Sequence, residues 1–181
     1  MRLSLFSHPE GVAVQGRGRV AYDVEAGSAH LPPATIDGPA LVWELAEGPT
    51  PAAGALLCAE VALDGGPAGW LMRCDRVEFE PGGVAYRHTH PGPGIRCLLY
   101  GAITIETEAT TMTYAPGEAW FERGPEPVLA TTAENEPSAF ARVLLLPERF
   151  AGQRTIRYVD PADAERPRRQ KATILLEQPL A

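Results

Sequence analysis

Short apolar and β-branched runs, each soon cut off by glycine or proline, recur along most of this chain. The clearest are ALVWEL at 40–45, ALLCAEVAL at 55–63, WLMRCDRVEFE at 70–80, GVAYRHTH at 83–90 and IRCLLYGAITIETE at 95–108. They continue with TTMTYA at 110–115, EAWFE at 118–122, PVLATTA at 127–133 and AFARVLLL at 139–146. Runs of this length, rich in residues that fit a pleated surface and bounded by turn formers, predict strands. GAITIETEATTMTYAPGE reads as a hairpin in which Thr104, Glu106 and Glu108 face water opposite Ile103 and Ile105. No stretch of comparable length has a helical period. The best helical turn is DPADAE, where Asp160 can cap and Pro161 can take the first helical position. The fold class expected is all-β.

Strand spacing divides the chain unevenly. Residues 70–147 hold closely spaced strands and form the expected core. Residues 1–69 are an amino-terminal arm with added strands, in which SAHLPPATIDGP and LAEGPTPAAG are connections. Residues 148–181 are a carboxy-terminal arm with a short candidate strand at 172–176. No internal repeat is present, and 181 residues suit one structural domain. Gly and Pro, 18 each, are spread along the chain, which agrees with frequent turns.

Charge narrows the partners. Lys and Arg number 16 against 23 acidic residues, a net charge of -7, so no general basic field attracts nucleic acid or an anionic membrane. The basic run Arg166, Arg168, Arg169 and Lys171 reads as a solvated surface. The apolar run in MRLSLFSHPEG is too short for a signal peptide and nothing later approaches a membrane span, so a cytoplasmic protein is expected. Cys58, Cys74 and Cys97 form no C-x-x-C pair and read as small buried hydrophobes. No G-x-S-x-G elbow, P-loop or dinucleotide fingerprint occurs.

The chemistry concentrates in YRHTHPGPGIRCLLYG, residues 86–101. On a strand, Tyr86, His88 and His90 share a face, and alpha carbons two apart are separated by roughly 6.5–7 Å. Two imidazoles at that spacing can close on one ion with bonds of about 2.0–2.2 Å. The alternative is that they are packed or hydrogen-bonded residues of the interior. The PGPGI loop, with Gly92 and Gly94 between prolines, is expected to set the rim of the pocket.

With Gly82 before it and Gly101 after it, the stretch resembles the first motif of the cupin superfamily, G-x5-H-x-H-x(3 or 4)-E-x6-G. YAPGEAWFERGPEPV weakly echoes the second motif, G-x5-P-x-G-x2-H-x3-N. The resemblance covers residues 70–147 and implies a cupin-type double-stranded β-helix, or jelly-roll, barrel, with amino- and carboxy-terminal arms adding strands at its edges. It also departs from the pattern: the motif-one glutamate falls on Gly94 and the motif-two histidine near Val128.

If position 94 begins an inward face, Arg96 and Leu98 share it. An inward Arg96 would pair with a carboxylate of the protein or clamp a carboxylate or phosphate of a ligand; at a strand end it would reach solvent. Trp120 is placed to wall a pocket. Glu122 is the candidate to replace the lost ligands, with Glu126 in reserve, or it is a surface partner of Arg96 or Arg123. Arg73, Arg76 and Arg142 are expected to form structural ion pairs with Asp75, Glu78 or Glu80.

The leading expectation is a small-molecule site, with an anionic ligand contacted by Tyr86, Arg96 and Trp120. A divalent transition metal (Fe, Mn, Ni or Zn) would sit on His88, His90 and Glu122 and serve oxygenase, isomerase, lyase or hydrolytic chemistry. The alternatives are a metal-free ligand-binding or sensing cupin, and a structural module with a decayed pocket. The resemblance implies a homodimer, with LVWEL and ATILLEQP apolar enough to cross a subunit boundary.

Overall fold

The structure, a computed structural model, describes residues 1–48 and 53–180. The amino-terminal arm contributes β1 (Arg2–His8), β2 (Val12–Val14), β3 (Arg19–Asp23), β4 (Ser28–His30), β5 (Ala34–Ile36), β6 (Ala40–Ala46) and β7 (Leu57–Glu60). The core carries β8 (Trp70–Phe79), β9 (Val84–Thr89), β10 (Gly94–Tyr100), β11 (Ile103–Glu106), β12 (Thr111–Tyr114), β13 (Ala119–Glu122), β14 (Val128–Thr132) and β15 (Ser138–Pro147). A short strand, β16 (Arg157–Tyr158), and a long one, β17 (Gln170–Pro179), follow, along with 3-10 turns at Glu148–Phe150 and Pro161–Glu165. In the second turn Asp160 caps as expected, its carboxylate accepting from the Ala162 amide at 2.9 Å.

Three antiparallel five-stranded sheets stack as layers, and β2 pairs separately with β5. The first layer has the order β4-β3-β6-β1-β7, the middle layer β13-β10-β15-β8-β17 and the outer layer β12-β11-β14-β9-β16. The middle layer is covered on both faces, which explains why AFARVLLL is a continuous apolar run and why β15 is buried along nearly its whole length. Its Ala141, Val143 and Leu145 pack toward the first layer with Met72, Cys74, Ile95 and Cys97. Phe140 packs the other way, with Val77, Leu98 and Trp120, against Ile105, Val128 and Ala130 of the outer layer. The middle and outer layers are the two halves of the barrel.

The amino-terminal arm therefore does not add strands at the barrel's edges. It forms its own sheet, laid face to face on the outer surface of the middle layer. Leu3, Leu5, Val20, Leu41 and Trp43 fill that interface, and the Trp43 indole donates to the Ile95 carbonyl at 3.1 Å. At about 1.5–3 kcal/mol for each fully buried large apolar side chain, this interface holds the arm firmly. LVWEL, which suggested a subunit boundary, is buried inside its own chain. ATILLEQP does join an edge: β17 pairs with β8 from Gln170 to Pro179, longer than the expected strand at 172–176. Of the two apolar stretches that suggested a dimer, LVWEL is used within the chain, whereas no residue of β17 is fully buried and Ile174 is exposed. The expected connection LAEGPTPAAG lies partly outside the described residues, and SAHLPPATIDGP contains β4 and β5.

Gly101 splits the run at 95–108 into β10 of the middle sheet and β11 of the outer one. Its φ is +79°, and a Cβ there would meet Ser138 Oγ at 2.3 Å. Glycine is needed where the chain turns from one barrel half to the other.

Candidate functional site

A cavity of about 340 Å³ lies between the barrel sheets. One end is ionic, formed by Arg73, Asp75, His88, His90, Arg96, Glu122 and Arg142. The other is apolar, formed by Val77, Phe79, Ala85, Trp120, Ala130 and Phe140. Alternation produces this division. Along β8, Arg73, Asp75, Val77 and Phe79 occupy successive inward positions; along β15, Arg142 follows Phe140; along β10, Arg96 precedes Leu98.

His88 and His90 come together as expected, with ring centroids 4.9 Å apart and planes nearly perpendicular. Tyr86 does not join them. The β9–β14 register shifts between Val128 and Ala130, so that Ala85 stands opposite Ala130 and His88 opposite Val128. The irregularity breaks strict alternation: Ala85 and His88 both line the cavity, while Tyr86 lies outside it with the Arg166 guanidinium 4.6 Å above its ring. Val128 packs beside His88, at the position where the resemblance put the missing histidine.

Glu122 reaches the site from β13. The register pairs it directly with Gly94, the position of the motif-one glutamate, so its carboxylate occupies the neighbourhood of the lost one. Its oxygens are already engaged. Oε1 accepts from the Trp120 indole at 2.8 Å, and Oε2 lies 2.7 Å from Arg96 Nη2 and 3.9 Å from His90 Nε2. Glu126, the reserve, is exposed and lies 3.8 Å from Arg123.

Arg96 is fully buried on the inward face of β10, which excludes the solvent-facing alternative. Its Nη1 donates to the Gly94 carbonyl at 2.6 Å. Nε and Nη2, the edge that receives a carboxylate in bidentate fashion, have no aligned hydrogen-bond acceptor among the described residues, despite the closeness of Glu122. Burial pushes its pKa down to about 10, with Glu122 pulling the other way, so it is charged at neutral pH.

Arg73 and Arg142 were expected to be structural, and both do pair with Asp75. Arg73 Nε lies 3.0 Å from Asp75 Oδ1, and Arg142 Nε donates to Oδ2 at 2.9 Å. Both also line the cavity. Arg142 Nη1 stands 3.4 Å from His90 Nε2, a geometry in which the imidazole nitrogen is the acceptor. Extending the inward face of β10 across its neighbours would have found these residues, but that step requires the strand order. Arg76 pairs on the opposite face, with Glu78 at 3.2 Å.

Both histidines are held toward the neutral form. Burial lowers the His88 pKa most, with Glu122 opposing it and Arg142 and Arg96 adding to it. For His90, burial, Arg142, Arg96 and His88 all act downward, and the lowering is larger. His88 Nδ1 lies 2.7 Å from the Tyr86 carbonyl, so it carries the proton and leaves Nε2 with the lone pair. His90 Nδ1 is buried without an aligned partner.

A carboxy-terminal strap, residues 151–156, covers the seam between the sheets. Arg73 Nη1 donates to the Gln153 carbonyl at 2.8 Å and Nη2 to Thr155 Oγ1 at 3.2 Å. Arg154 on the strap and Arg168 before β17 also line the cavity while staying exposed, and Arg166, Arg169 and Lys171 are exposed as expected of a solvated surface. The PGPGI loop is not the rim of this cavity. Residues 91–93 line a separate outer groove with Trp70 and Phe121. Cys74 and Cys97 pack on the face away from the site, and burial raises both thiols, Cys97 to about 11. Cys58 is only half-buried.

Two facing antiparallel sheets of order β13-β10-β15-β8 and β12-β11-β14-β9 around this cavity, with the H-T-H strand on its wall, make a double-stranded β-helix, or jelly roll. Solved structures similar to the chain include the polyketide cyclase RemF from Streptomyces resistomycificus. It is 23% identical, with a TM-score of 0.40, over 49% of this chain and 61% of that one. A cupin-superfamily sugar phosphate isomerase from Silicibacter pomeroyi is 20% identical, with a TM-score of 0.38, over 49% of this chain and 57% of that one. An RmlC-like cupin from Shewanella frigidimarina is 14% identical, with a TM-score of 0.37, over 43% and 68%. No family model and no curated protein matches the chain. No described helix is long and apolar enough to cross a membrane.

Proposed function

We propose that this cupin-type barrel binds an anionic small molecule through its arginines, without a metal. One observation carries the reading: among the described residues the cavity is lined by buried Arg73, Arg96 and Arg142 and by exposed Arg154 and Arg168, against Asp75 and Glu122, with Glu177 beside Arg73 at 3.6 Å. The lowered histidines add no compensating charge. A lining with more guanidiniums than carboxylates favours an anion that completes the balance.

The residues as arranged do not fit a divalent cation. Among the described residues no group of three or more His, Cys, Asp or Glu is disposed to hold one. The His90 and Glu122 atoms that would ligate it already face the Arg142 and Arg96 guanidiniums at 3.4 and 2.7 Å. At about 4 Å and an effective dielectric near 20, each guanidinium would repel a doubly charged ion by roughly 8 kcal/mol. Glu122 and Asp75 oppose that repulsion, but each is already paired with one of these guanidiniums.

The test combines metal analysis of protein purified without a nickel column with thermal shifts in a series of carboxylates and phosphates. Saturation at a hundredfold above Kd stabilises by about 2.7 kcal/mol, roughly 5–10 °C for a chain of this size. The expected result is substoichiometric metal, with a shift in wild type that is abolished in Arg96→Met/Glu122→Gln. Near-stoichiometric metal, lost in His88→Ala/His90→Ala with the fold intact, would overturn the reading in favour of a metal centre.

A further inference from the structure

The apolar end of the cavity is continuous with the ionic end and is built unlike an ordinary core. An aromatic wall runs beside it, from Tyr114 on β12 of the outer sheet to Trp120, Phe140 and Phe79 on the middle sheet. Tyr114 stacks on Trp120 at 4.9 Å, Trp120 meets Phe140 edge-on at 5.2 Å, and Phe140 meets Phe79 at 6.1 Å. On the outer sheet Ala85 pairs with Ala130, whose other neighbour in register, Ile105, also lines the cavity. Two side-by-side alanines facing large rings leave space where a packed core would place Leu or Ile. The wall is also tied to the ionic end, since the Trp120 indole donates to Glu122, which sits against Arg96. From Asp75 to Phe79 along β8 is four residues, roughly 13 Å at strand rise. That length takes a carboxylate and one ring.

We infer that the ligand is an amphipathic carboxylate, with its anionic head on Arg96 and Arg142 and an aromatic or alicyclic body between the Ala85–Ala130 pair and the Trp120–Phe140 wall. This rests on the anion reading above and adds the chemical class of the body. A cavity of about 340 Å³, near the lower end of ligand pockets at about 300–1,000 Å³, suits one ring more than an extended polycycle. Arg96 fixes the head, and Ala85 and Ala130 set the width admitted.

Calorimetric titration with hydrocinnamate, propionate and hydrocinnamyl alcohol separates the two readings. Hydrocinnamate should bind wild type at least tenfold more tightly than propionate and than the neutral alcohol. Ala130→Leu should erase the preference for hydrocinnamate over propionate while leaving propionate affinity within about twofold; Ala130→Val, which adds less volume, serves if the leucine variant does not fold. Equal affinities for hydrocinnamate and propionate in wild type would overturn the inference and leave the anion reading standing. Alcohol binding as tight as hydrocinnamate would overturn the anion reading and the carboxylate head with it. If no carboxylate binds at millimolar concentration, both fall.

Discussion

Glu122 illustrates how much one side chain's meaning depends on its neighbours. Opposite Gly94, it supplies a carboxylate where the cupin pattern has one, but the carboxylate is held by an indole and a guanidinium. Removing one partner of a buried pair costs about 3–5 kcal/mol because the other charge is left uncompensated. Arg96→Met should therefore lower stability by an amount in that range in urea unfolding, and Arg96→Met/Glu122→Gln should recover at least half of it. No recovery would mean that the two groups are not coupled. Gly94 makes a second case. Restoring the missing glutamate there fails for a steric reason: a Cβ would lie 2.4 Å from the Val143 carbonyl oxygen and 2.7 Å from Leu144 Cδ2. The obstacle is the close approach of β15, since φ at this position is not positive. Gly94→Ala should already be destabilising, by about 2 kcal/mol or more, a magnitude typical of overpacking. A melting temperature equal to wild type would refute this packing.

At the scale of elements, the strap at 151–156 is held by two side chains of the middle sheet, Arg73 and Glu177, the latter accepting from the Gly152 amide at 2.9 Å. Arg73 reaches out of β8 to the Gln153 carbonyl and the Thr155 hydroxyl, and Asp75 keeps its partner Arg142 when Arg73 is lost. Arg73→Met should loosen the strap without unfolding the sheets. Arg154 is exposed on that strap, so trypsin should cut after it several-fold faster in the variant. Equal cleavage rates, measured by mass spectrometry of the intact chain, would show that other contacts hold the strap. The irregularity in β9 acts similarly at a distance. One register shift brings Ala85 into the cavity and turns Tyr86 out, which changes both the shape of the apolar end and the list of ligand contacts.

For the whole molecule, the buried neutral histidines tie stability to pH. Both have folded pKa values below the ordinary 6.5, so as pH falls through about 6.5 the unfolded chain takes up protons first. Stability from these groups is present above that pH and is lost as pH falls toward their folded values. The melting temperature should therefore drop between pH 7.5 and 5, and His90→Gln should flatten the slope. An unchanged slope in the variant would assign the acid sensitivity to other groups. The three-layer arrangement adds a further consequence. The first sheet covers the outer face of the middle one, so the barrel cannot offer that face to a second copy while the arm is docked.

The sequence determined a good deal by itself. Alternation and turn residues located the core strands, because a half-buried pleated strand leaves a period of two that is written locally. The H-T-H spacing and its glycine frame located the wall of the site, and Arg96, Trp120 and Glu122 are on it. Tertiary structure decided the rest. Whether Arg73 and Arg142 are structural pairs or cavity walls depends on which strands are neighbours, and that is a property of the sheet order. Whether Tyr86 faces inward depends on one register shift, which reverses parity without altering composition. Whether LVWEL crosses to a second chain or folds onto its own depends on which apolar face lies within reach, because the hydrophobic effect has no direction of its own. And whether two histidines and a glutamate amount to a metal centre depends on the charges packed against them. Here two guanidiniums occupy that position, brought to it by β10 and β15 from residues forty-six positions apart in the chain.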